Sequence, residues 1–503
     1  MFMISRSNAP SGNAFKAHYS KQSYVWTGIK KYLLLCSLVL TGCITVGPDY
    51  KAPNLPIPRQ WTIPTNTVLT DTDNWWKTFN DPILNALIHE AISSNLDVKL
   101  ALERVKNARV LRSATVAGGL PSLSAKANVN RRFNNSSANQ SSGTGSAIGG
   151  IGVGNQLINI FQMGFDAQWE LDFFGGNRRA IEAANATIDT EIENSRVILV
   201  SLLGEIARHY IELRANQQLL LLSGENLNTQ QQALALIQIR QQAGLANMLE
   251  VTLAQAQLAT TQAQLPNIES DIKQSIHALS VLLGKEPGAL INRLEPPNAI
   301  PKATVVTTSL PSELLQRRPD IRRAERQLAV ANASIGIATA EFYPKINLAA
   351  FIGLQNMRIT DLTPIGKSWS TASSLTLPIF NWGKLSANIK SKQSQFQQAF
   401  LSYQTTVLSA FQEVEDALIA YRKEQERHQS LTQAVAANLL ALQLANERYQ
   451  KGLTAFTEVL ENQQTVYKTQ INLIESESAL SRDLVGLYKA FGGGWQSVGG
   501  VGK

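Results

Sequence analysis

Residues 240–255 read RQQAGLANMLEVTLAQ, and residues 448–463 read RYQKGLTAFTEVLENQ. Both follow one template at an offset of 208 positions: Arg, three residues, Gly-Leu, four residues, Glu-Val, three residues, Gln. The match continues from Gln262, Leu265 and Glu269 to Gln470, Leu473 and Glu477. Upstream, an offset of 223 carries Asp97, Ala101, Ala108, Ala117 and Pro121 onto Asp320, Ala324, Ala331, Ala340 and Pro344. Between these blocks, Leu171-Asp172-Phe173-Phe174-Gly175-Gly176-Asn177-Arg178 resembles Leu377-Pro378-Ile379-Phe380-Asn381-Trp382-Gly383-Lys384. One structural unit therefore occurs twice, and the fold must be built from that unit. Alanine-rich helices can match by chance, but a register sustained across both glycine turns argues against chance.

Each unit reads helix, strand, loop, strand, long helix, turn, helix. Between Gly383 and Gly452, 69 positions apart, there is neither proline nor glycine. The corresponding run from Gly176 to Gly244 contains only Gly204 and Gly224. Helices of that length are each about 100 Å long, far beyond ordinary globular ones. Leu385, Ile389, Phe396, Phe400, Tyr403, Val407, Phe411, Val414, Leu418 and Tyr421 share one face. Their mean step is 3.6 residues, against the 3.5 of a left-handed supercoil, so such helices can lie side by side like staves. A two-stranded coiled coil should show a stricter heptad.

The strands alternate with period 2. Phe165, Ala167, Trp169 and Leu171 point one way, and Asp166, Gln168, Glu170 and Asp172 the other. Leu123, Ala125, Ala127 and Val129 alternate with Ser124, Lys126 and Asn128. Ile346, Leu348, Ala350, Ile352 and Leu354 alternate with Lys345, Asn347, Ala349 and Phe351, and Trp369 to Ile379 gives a weaker fourth. Half-buried strands of a soluble sheet could alternate in the same way, but segments of about ten residues also suit a tilted membrane strand. Residues 134–159, rich in Asn, Ser and Gly, read as an exposed loop. Their GGIGVG lacks the spacing of a phosphate loop.

The first 42 residues carry Arg6, Lys16, Lys21, Lys30, Lys31 and no acid, which is five of the eight excess positive charges. The remainder is only +3, with no basic patch interleaved with aromatics, so a nucleic-acid partner is not expected. Lys30 and Lys31 precede an apolar run, Tyr32 to Leu40, too short to span a bilayer as a helix. Leu40-Thr41-Gly42-Cys43 follows and resembles a bacterial lipobox. Cys43 would then be acylated and begin the mature chain, carrying diacylglycerol and acyl lipid in place of any other cofactor. A buried cysteine after a chance apolar run is the alternative, but charge, run and small residues stand in the lipobox order. Cys36 would leave with the signal, so no intrachain disulfide is expected. Ile44 follows Cys43. An Asp there tends to retain Gram-negative lipoproteins at the inner membrane, so its absence favours the outer membrane.

Four strands cannot close a membrane barrel, and an open edge in hydrocarbon is prohibitively costly. Single-chain bacterial barrels start at eight strands. Two copies of this chain would give eight strands and a lumen mostly filled by side chains. Three copies give twelve strands and room for a pore. The fold expected is mainly α with a small β part: four strands and two repeats per chain, forming a trimeric α-barrel of long helices and a 12-stranded transmembrane β-barrel.

Further markers are Val46-Gly47-Pro48-Asp49-Tyr50-Lys51, Trp75-Trp76 with Phe79, Leu315-Gln316-Arg317-Arg318-Pro319-Asp320-Ile321, Ala324-Glu325, Phe342-Tyr343-Pro344, and Tyr488-Lys489-Ala490-Phe491-Gly492-Gly493-Gly494-Trp495. In this order they resemble the TolC/OprM-type outer-membrane factor family, in its NodT-like lipoprotein branch, over nearly everything from Cys43 onward. The resemblance implies a homotrimeric exit duct in the outer membrane of a Gram-negative bacterium, lipid-anchored and extending into the periplasm. Its implied partners are outer-membrane lipid, a periplasmic membrane-fusion adaptor and an energy-using inner-membrane transporter of the RND type. The implied division is a signal peptide, 1–42; a lipidated equatorial segment, 43–80; repeat 1, 81–284; an equatorial linker, 285–308; repeat 2, 309–487; and a C-terminal equatorial segment, 488–503. Within the repeats, strands are expected near 121–133, 162–173, 344–354 and 369–380, with hairpin tips near 244 and 452.

The resemblance also implies roles for single residues. Arg240, Gly244, Leu245, Arg448, Gly452 and Leu453 would meet the adaptor at a quasi-sixfold rim, while also capping their own helices. Glu461 and Gln464 would form a periplasmic gate, where OprM-like relatives place an Asp and an Arg; the first repeat has Leu253 and Ala256 there. A threefold Glu ring would attract cations, although Glu461 also suits a solvated helix surface. Asp166, Glu170 and Asp172, if they line the lumen, would add to a cation preference.

Four readings of function compete: a passive duct for drugs or other small toxic solutes, with heavy-metal cations as a variant; a TolC-like duct for type I protein secretion; a structural coiled-coil lipoprotein; and an enzyme. The last has no support. Of five histidines His18 falls in the signal, and no catalytic residues, metal-ligand spacing or nucleophile elbow are present.

Overall fold

A computed structural model describes residues 45–56, 58, 60–62, 73–134, 156–302, 316–363 and 365–496. Cys43, the signal segment, Leu315 and most of the 134–159 loop lie outside the described residues. The helices are α1 (Pro82–Ser94), α2 (Leu96–Gly118), α3 (Gly176–Gln242), α4 (Met248–Leu282), α5 (Pro319–Ala340), α6 (Lys384–Gln450) and α7 (Phe456–Ala490). The strands are β1 (Ser122–Asn134), β2 (Gln156–Leu171), β3 (Lys345–Asn356) and β4 (Lys367–Thr376). Helices α3 and α6 have 67 residues each, and α4 and α7 have 35 each. The fold is thus mainly helical with one small sheet, and the two long runs are single helices, the first continuing through Gly204 and Gly224. Among the described residues no helix is long and apolar enough to cross a membrane.

The chain forms two compact units. One takes residues up to Asp49 with Thr115–Ile181 and Ala333–Lys392; the other takes Tyr50–Ala114, Glu182–Asn332 and Gln393 onward.

The first unit holds the sheet, in the order β1-β2-β3-β4 with every neighbour antiparallel. Its register puts the expected apolar sets on one face: Ala125, Phe165 and Ile352 lie in one row, and Trp369 continues it on β4. Two strand bounds differ by more than two residues from the sequence expectation. Strand β2 begins at Gln156, ahead of 162, and β4 ends at Thr376, short of 380. Alternation marks which face a residue takes, not where its neighbour stops. Thr376 already pairs with Lys345, the first residue of β3, so Leu377 and Ile379 continue the pattern with no strand beside them.

Phe351 breaks the alternation of β3, since it is a large apolar side chain on the face of Asp166. Gly164 and Gly353 are opposite each other there, and Cβ atoms built on them would come within 2.7 and 2.9 Å of the Phe351 ring. The ring covers the gap that the two glycines leave, restoring packing that glycine alone would forfeit.

The residues after Cys43 are tied into this unit. Val46 donates its N–H to Phe174 O at 3.1 Å. The buried Arg179 guanidinium donates to Val46 O (3.0 Å), Gly47 O (3.1 Å) and Asp49 Oδ1 (2.8 Å). Gly47 has φ +88°, and a Cβ there would lie 2.5 Å from Gly336 Cα. Only glycine fits where two backbones approach so closely.

The second unit has its main core around Trp75, Trp76, Phe79, Leu84, Tyr210 and Tyr488. Asp81 caps α1 by accepting from the N–H groups of Ile83 (2.8 Å) and Leu84 (3.0 Å), and accepts from the Tyr210 hydroxyl (2.7 Å) on its other oxygen. The segment markers converge here. Arg318 donates to Ala490 O (2.9 Å) and to the carboxylates of Asp320 (2.6 Å) and Glu413 (2.7 Å). Trp495 donates to Arg317 O at 3.0 Å, and Arg196 and Arg322 lie over its ring at 4.3 and 5.4 Å.

A smaller core of Ile237, Val251, Ala254, Ala445, Phe456 and Val459 holds the two hairpin ends. Between the two cores the helices meet through polar groups. Ser223 Oγ is 2.9 Å from Tyr467 Oη, Asn438 donates to Thr469 Oγ1 (2.9 Å), and buried Gln230 Oε1 has no partner. Pro266 lies inside α4 at this level and removes one helical N–H.

Glu212 on α3 ties α3 to α7. It accepts from Arg208 at 3.1 Å and Arg482 at 3.2 Å, and lies 3.5 Å from His209. The hydrogen bond from His209, then the charge of Arg208, outweigh burial and pull its carboxyl from about 4.5 down to about 2. A depressed carboxylate stabilises the fold above its unfolded value and loses that contribution as pH falls through its folded one. Thermal melts should therefore show a decline between pH 4.5 and 2 that Glu212→Gln lacks. The variant should be the less stable protein at pH 7. Parallel pH profiles for the two proteins would refute the assignment.

Candidate functional site: hairpin tips and the polar face of the sheet

Helix α3 ends at Gln242 and α6 at Gln450, and Gly244 and Gly452, two residues further on, have φ of +74° and +72°. Leu245 N–H donates back to Arg240 O (2.8 Å) and Gly244 N–H to Gln241 O (2.9 Å). At the second tip Leu453 N–H reaches Arg448 O (2.9 Å) and Gly452 N–H reaches Tyr449 O (3.0 Å). Both are Schellman closures, in which glycine takes the left-handed position and the last carbonyls are satisfied internally. The return helices start differently. Asn247 caps α4 by accepting from Glu250 N–H at 2.9 Å, whereas Ala455 offers α7 no side-chain cap.

The side chains at the tips are less alike than the template suggests. Leu245 and Leu453 are both exposed, at 70% and 66%. Arg240 and Arg448 share a template position but not a role. Arg240 stacks over the Tyr449 ring at 4.7 Å, and Tyr449 in turn packs against Phe456 at 5.3 Å. Arg448 is exposed. The sequence signal that distinguishes them is Tyr449, which has Gln241 as its counterpart at the first tip. Met248 and Leu249 add exposed apolar surface to the first tip; their counterparts are buried Phe456 and polar Thr457.

Glu461 and Gln464 lie on the second turn of α7, and both are exposed. Gln464 Nε2 donates to Gln257 Oε1 on α4, joining the two hairpins by a neutral contact. Sequence reasoning did not single out Gln257, which is not Gln464's repeat counterpart; Ala256 is.

Asp166, Glu170 and Asp172 fall opposite the apolar face, and each has a basic neighbour. Lys126 Nζ is 3.5 Å from Asp166, Lys345 Nζ is 3.9 Å from Glu170, and Arg178 Nε is 3.5 Å from Asp172. Asp172 also accepts Arg178 N–H at 2.9 Å in the first turn of α3. Each of the three carboxylates is thus paired with a base within the chain. Lys126 and Lys345 come from β1 and β3, far from their carboxylates in sequence, whereas Arg178 follows Asp172 by six residues. Among the described residues no group of three or more His, Cys, Asp or Glu side chains could hold a metal ion.

Amphipathic strands in an open sheet, joined to paired helical hairpins with matched tips, define a chain of the outer-membrane channel class. The outer membrane efflux protein family profile matches residues 87–285 and 310–493. The chain is 31% identical over 478 residues to the solvent efflux pump outer membrane protein SrpC of Pseudomonas putida, covering 93% of this chain and 98% of that one. It is 29% identical over 473 residues to the cation efflux system protein CusC of Escherichia coli O6:H1, covering 93% and 99%. The solved outer-membrane channel OprN superposes with a TM-score of 0.80 at 30% identity, covering 90% of this chain and all of that one. The chain belongs to the outer membrane efflux protein family. It is an outer-membrane efflux channel protein, and the likeness read from the segment markers holds along the length of the molecule.

Proposed function

We propose that three copies of this chain form one passive exit duct of a tripartite efflux pump. The observation that carries this reading is the sheet. It has an apolar face and two unpaired edge strands, β1 and β4, and a membrane sheet must close. Three copies supply twelve strands, with the hairpins gathered into a periplasmic tube. Residues 1–42 are removed, and Cys43 carries the lipid. Val46, three residues later, is bonded to Phe174 at the foot of β2. Three residues of chain reach about 10 Å at most, so an acylated Cys43 and the strand ends would share one bilayer level. Residues 43–80, 285–308 and 488–503 form the equatorial girdle around the two repeats, 81–284 and 309–487.

At the periplasmic rim, exposed Leu245, Leu453 and Arg448, with Gly244 and Gly452 at the turns, offer the adaptor its contacts; Arg240 shapes the rim by bracing Tyr449. The adaptor connects the duct to an inner-membrane transporter of the RND type. The chain performs no catalysis, and its one covalent group is the lipid. Its cargo is drugs or other small toxic solutes, in line with the solvent pump named for the 31% identical relative. A heavy-metal cation duct is the second reading, favoured by the name of the CusC relative. Against it stands the base beside each carboxylate of the polar face. Type I protein secretion would use the same architecture and would be marked by different neighbouring genes.

Purified protein in planar bilayers tests the reading. The duct conducts ions, and chemical crosslinking of detergent-extracted protein stops at trimer. Glu461→Ala is expected to raise conductance, since it removes a carboxylate ring near the constriction. A trimer that conducts no current would leave a structural envelope lipoprotein instead; unchanged conductance in the variant would remove Glu461 from the gate.

A further inference from the structure

We propose that the free edge of β4 pairs with the free edge of β1 in a second copy in one register, Leu375 opposite Ala127, and that Trp382 closes the joint over Leu120 of that copy. This rests on the trimeric reading above, and deepens it by fixing how the copies join.

The register follows from the repeat. Gly175 and Gly383 both have φ +80° and both immediately precede a 67-residue helix. They align the β2 and β4 ends at an offset of 208, the offset of the hairpin tips. The likeness of 171–178 to 377–384 is therefore two residues out of step, and Trp382 is the counterpart of Phe174. Strands β1 and β3 correspond at 223, as Pro121 and Pro344 do.

These two offsets can be checked within the sheet. Ser122 pairs with Gln168; adding 223 to the first and 208 to the second gives Lys345 and Thr376, which is an observed pair. The offsets therefore carry one strand pairing onto another without slip. Applied to β2 and β3, they specify the joint between copies. Ala167 opposite Ala350 becomes Leu375 opposite Ala127, and Phe161 opposite Asn356 becomes Trp369 opposite Phe133. Every pair so generated keeps apolar residues on the face they already occupy, as a closed sheet requires.

The same operation accounts for an exposed cluster. Phe174 stacks on Tyr343 at 4.7 Å within the chain. Trp382 meets only the exposed Phe380 ring, edge to face at 4.7 Å, and is itself 89% exposed, as is Ile379 at 92%. The counterpart of Tyr343 is Leu120, also exposed. At the joint the large ring comes from the β4 side and the smaller side chain from the β1 side. Leu377 and Ile379 then lie opposite Ala125 and Leu123. Pro378 supplies no N–H, so the ladder gives way there to side-chain contact.

Disulfide trapping tests the register. With Cys36 removed and Cys43 acylated, the mature chain offers no competing thiol. Under mild oxidation in outer membranes, Leu375→Cys/Ala127→Cys should give a reducible covalent trimer. Leu375→Cys/Ala125→Cys and Leu375→Cys/Val129→Cys should give about fivefold less or lower, because diagonal positions lie beyond easy disulfide reach. A shifted pair that links equally well overturns the register, as does failure of all three in protein whose measured mass is trimeric. A monomeric mass overturns the trimer itself. For the closure, Trp382→Ala should lower the temperature at which the trimer dissociates and Trp382→Phe should largely restore it; no change in the alanine variant removes Trp382 from the joint.

Discussion

Replacing Trp75 with alanine is expected to destabilise the chain by about 3–5 kcal/mol. The ring is 1% exposed, stacks on Tyr488 with centroids 5.4 Å apart and planes at 14°, and meets the edges of Trp76 and Phe79 at 5.8 and 6.2 Å. Aromatic pairs of this kind contribute about 0.5–1.5 kcal/mol beyond the area they bury. The surroundings cannot collapse to fill the gap. Gly494, with φ +101°, presses its backbone against the same ring, and a Cβ there would already lie 3.1 Å from Trp75 Nε1 and 2.7 Å from Leu203 Cδ1. Trp75→Phe keeps the stack and should cost less than half as much. Denaturant titration in detergent measures both. An alanine variant within about 1 kcal/mol of the parent, an effect typical of sites away from the core, would show that the main core does not depend on this residue.

Gly47→Val is expected to release the Val46–Asp49 segment from Arg179. Valine at φ +88° is a backbone outlier, costing about 1–3 kcal/mol. Its Cβ would also overlap Gly336 Cα, and neither backbone has room to retreat. Detachment removes the carbonyls of Val46 and Gly47 and the Asp49 carboxylate from Arg179, whose side chain is buried. The ion pair is buried only on its Arg179 side, Asp49 being 86% exposed, so the two carbonyl bonds carry most of the anchorage and the strap is expected to leave as a whole. Trypsin should then cut at Lys51 in folded protein much faster than in the parent. Gly47→Asn, which tolerates the left-handed region better, should be cut at an intermediate rate. Equal rates for all three proteins would show that the strap is not held by this contact.

Much of the architecture was legible because it rests on local periodicity. The long runs became helices and the Gly-Leu turns became closures, since a positive φ after a long apolar stripe leaves few alternatives to glycine. Tyr403, Val407, Phe411, Val414 and Leu418 are buried as their spacing implied. What the sequence hid depends on partners remote in the chain. The pairing of Arg240 with Tyr449 joins the ends of two hairpins, so a template that equates Arg240 with Arg448 misses it. Lys126 and Lys345 pair with Asp166 and Glu170 from neighbouring strands, so reading β2 alone misses them. The two-residue misalignment of Phe174 with Phe380 arose because aromatic identity was matched, whereas the backbone is matched by conformation at Gly175 and Gly383. Arg179, the clamp on the strap, is one of two adjacent arginines in the sequence, and nothing local distinguishes it from Arg178.

The polar stretch between the two cores of the hairpin unit has a mechanical consequence. Ser223, Gln230 and Asn438 bring little apolar area to the seam, and buried Val466 and Tyr467 belong to neither core, so cohesion does not pass along the helices as it would through continuous leucine packing. The far end is therefore expected to open at a lower free energy than the tryptophan-lined core.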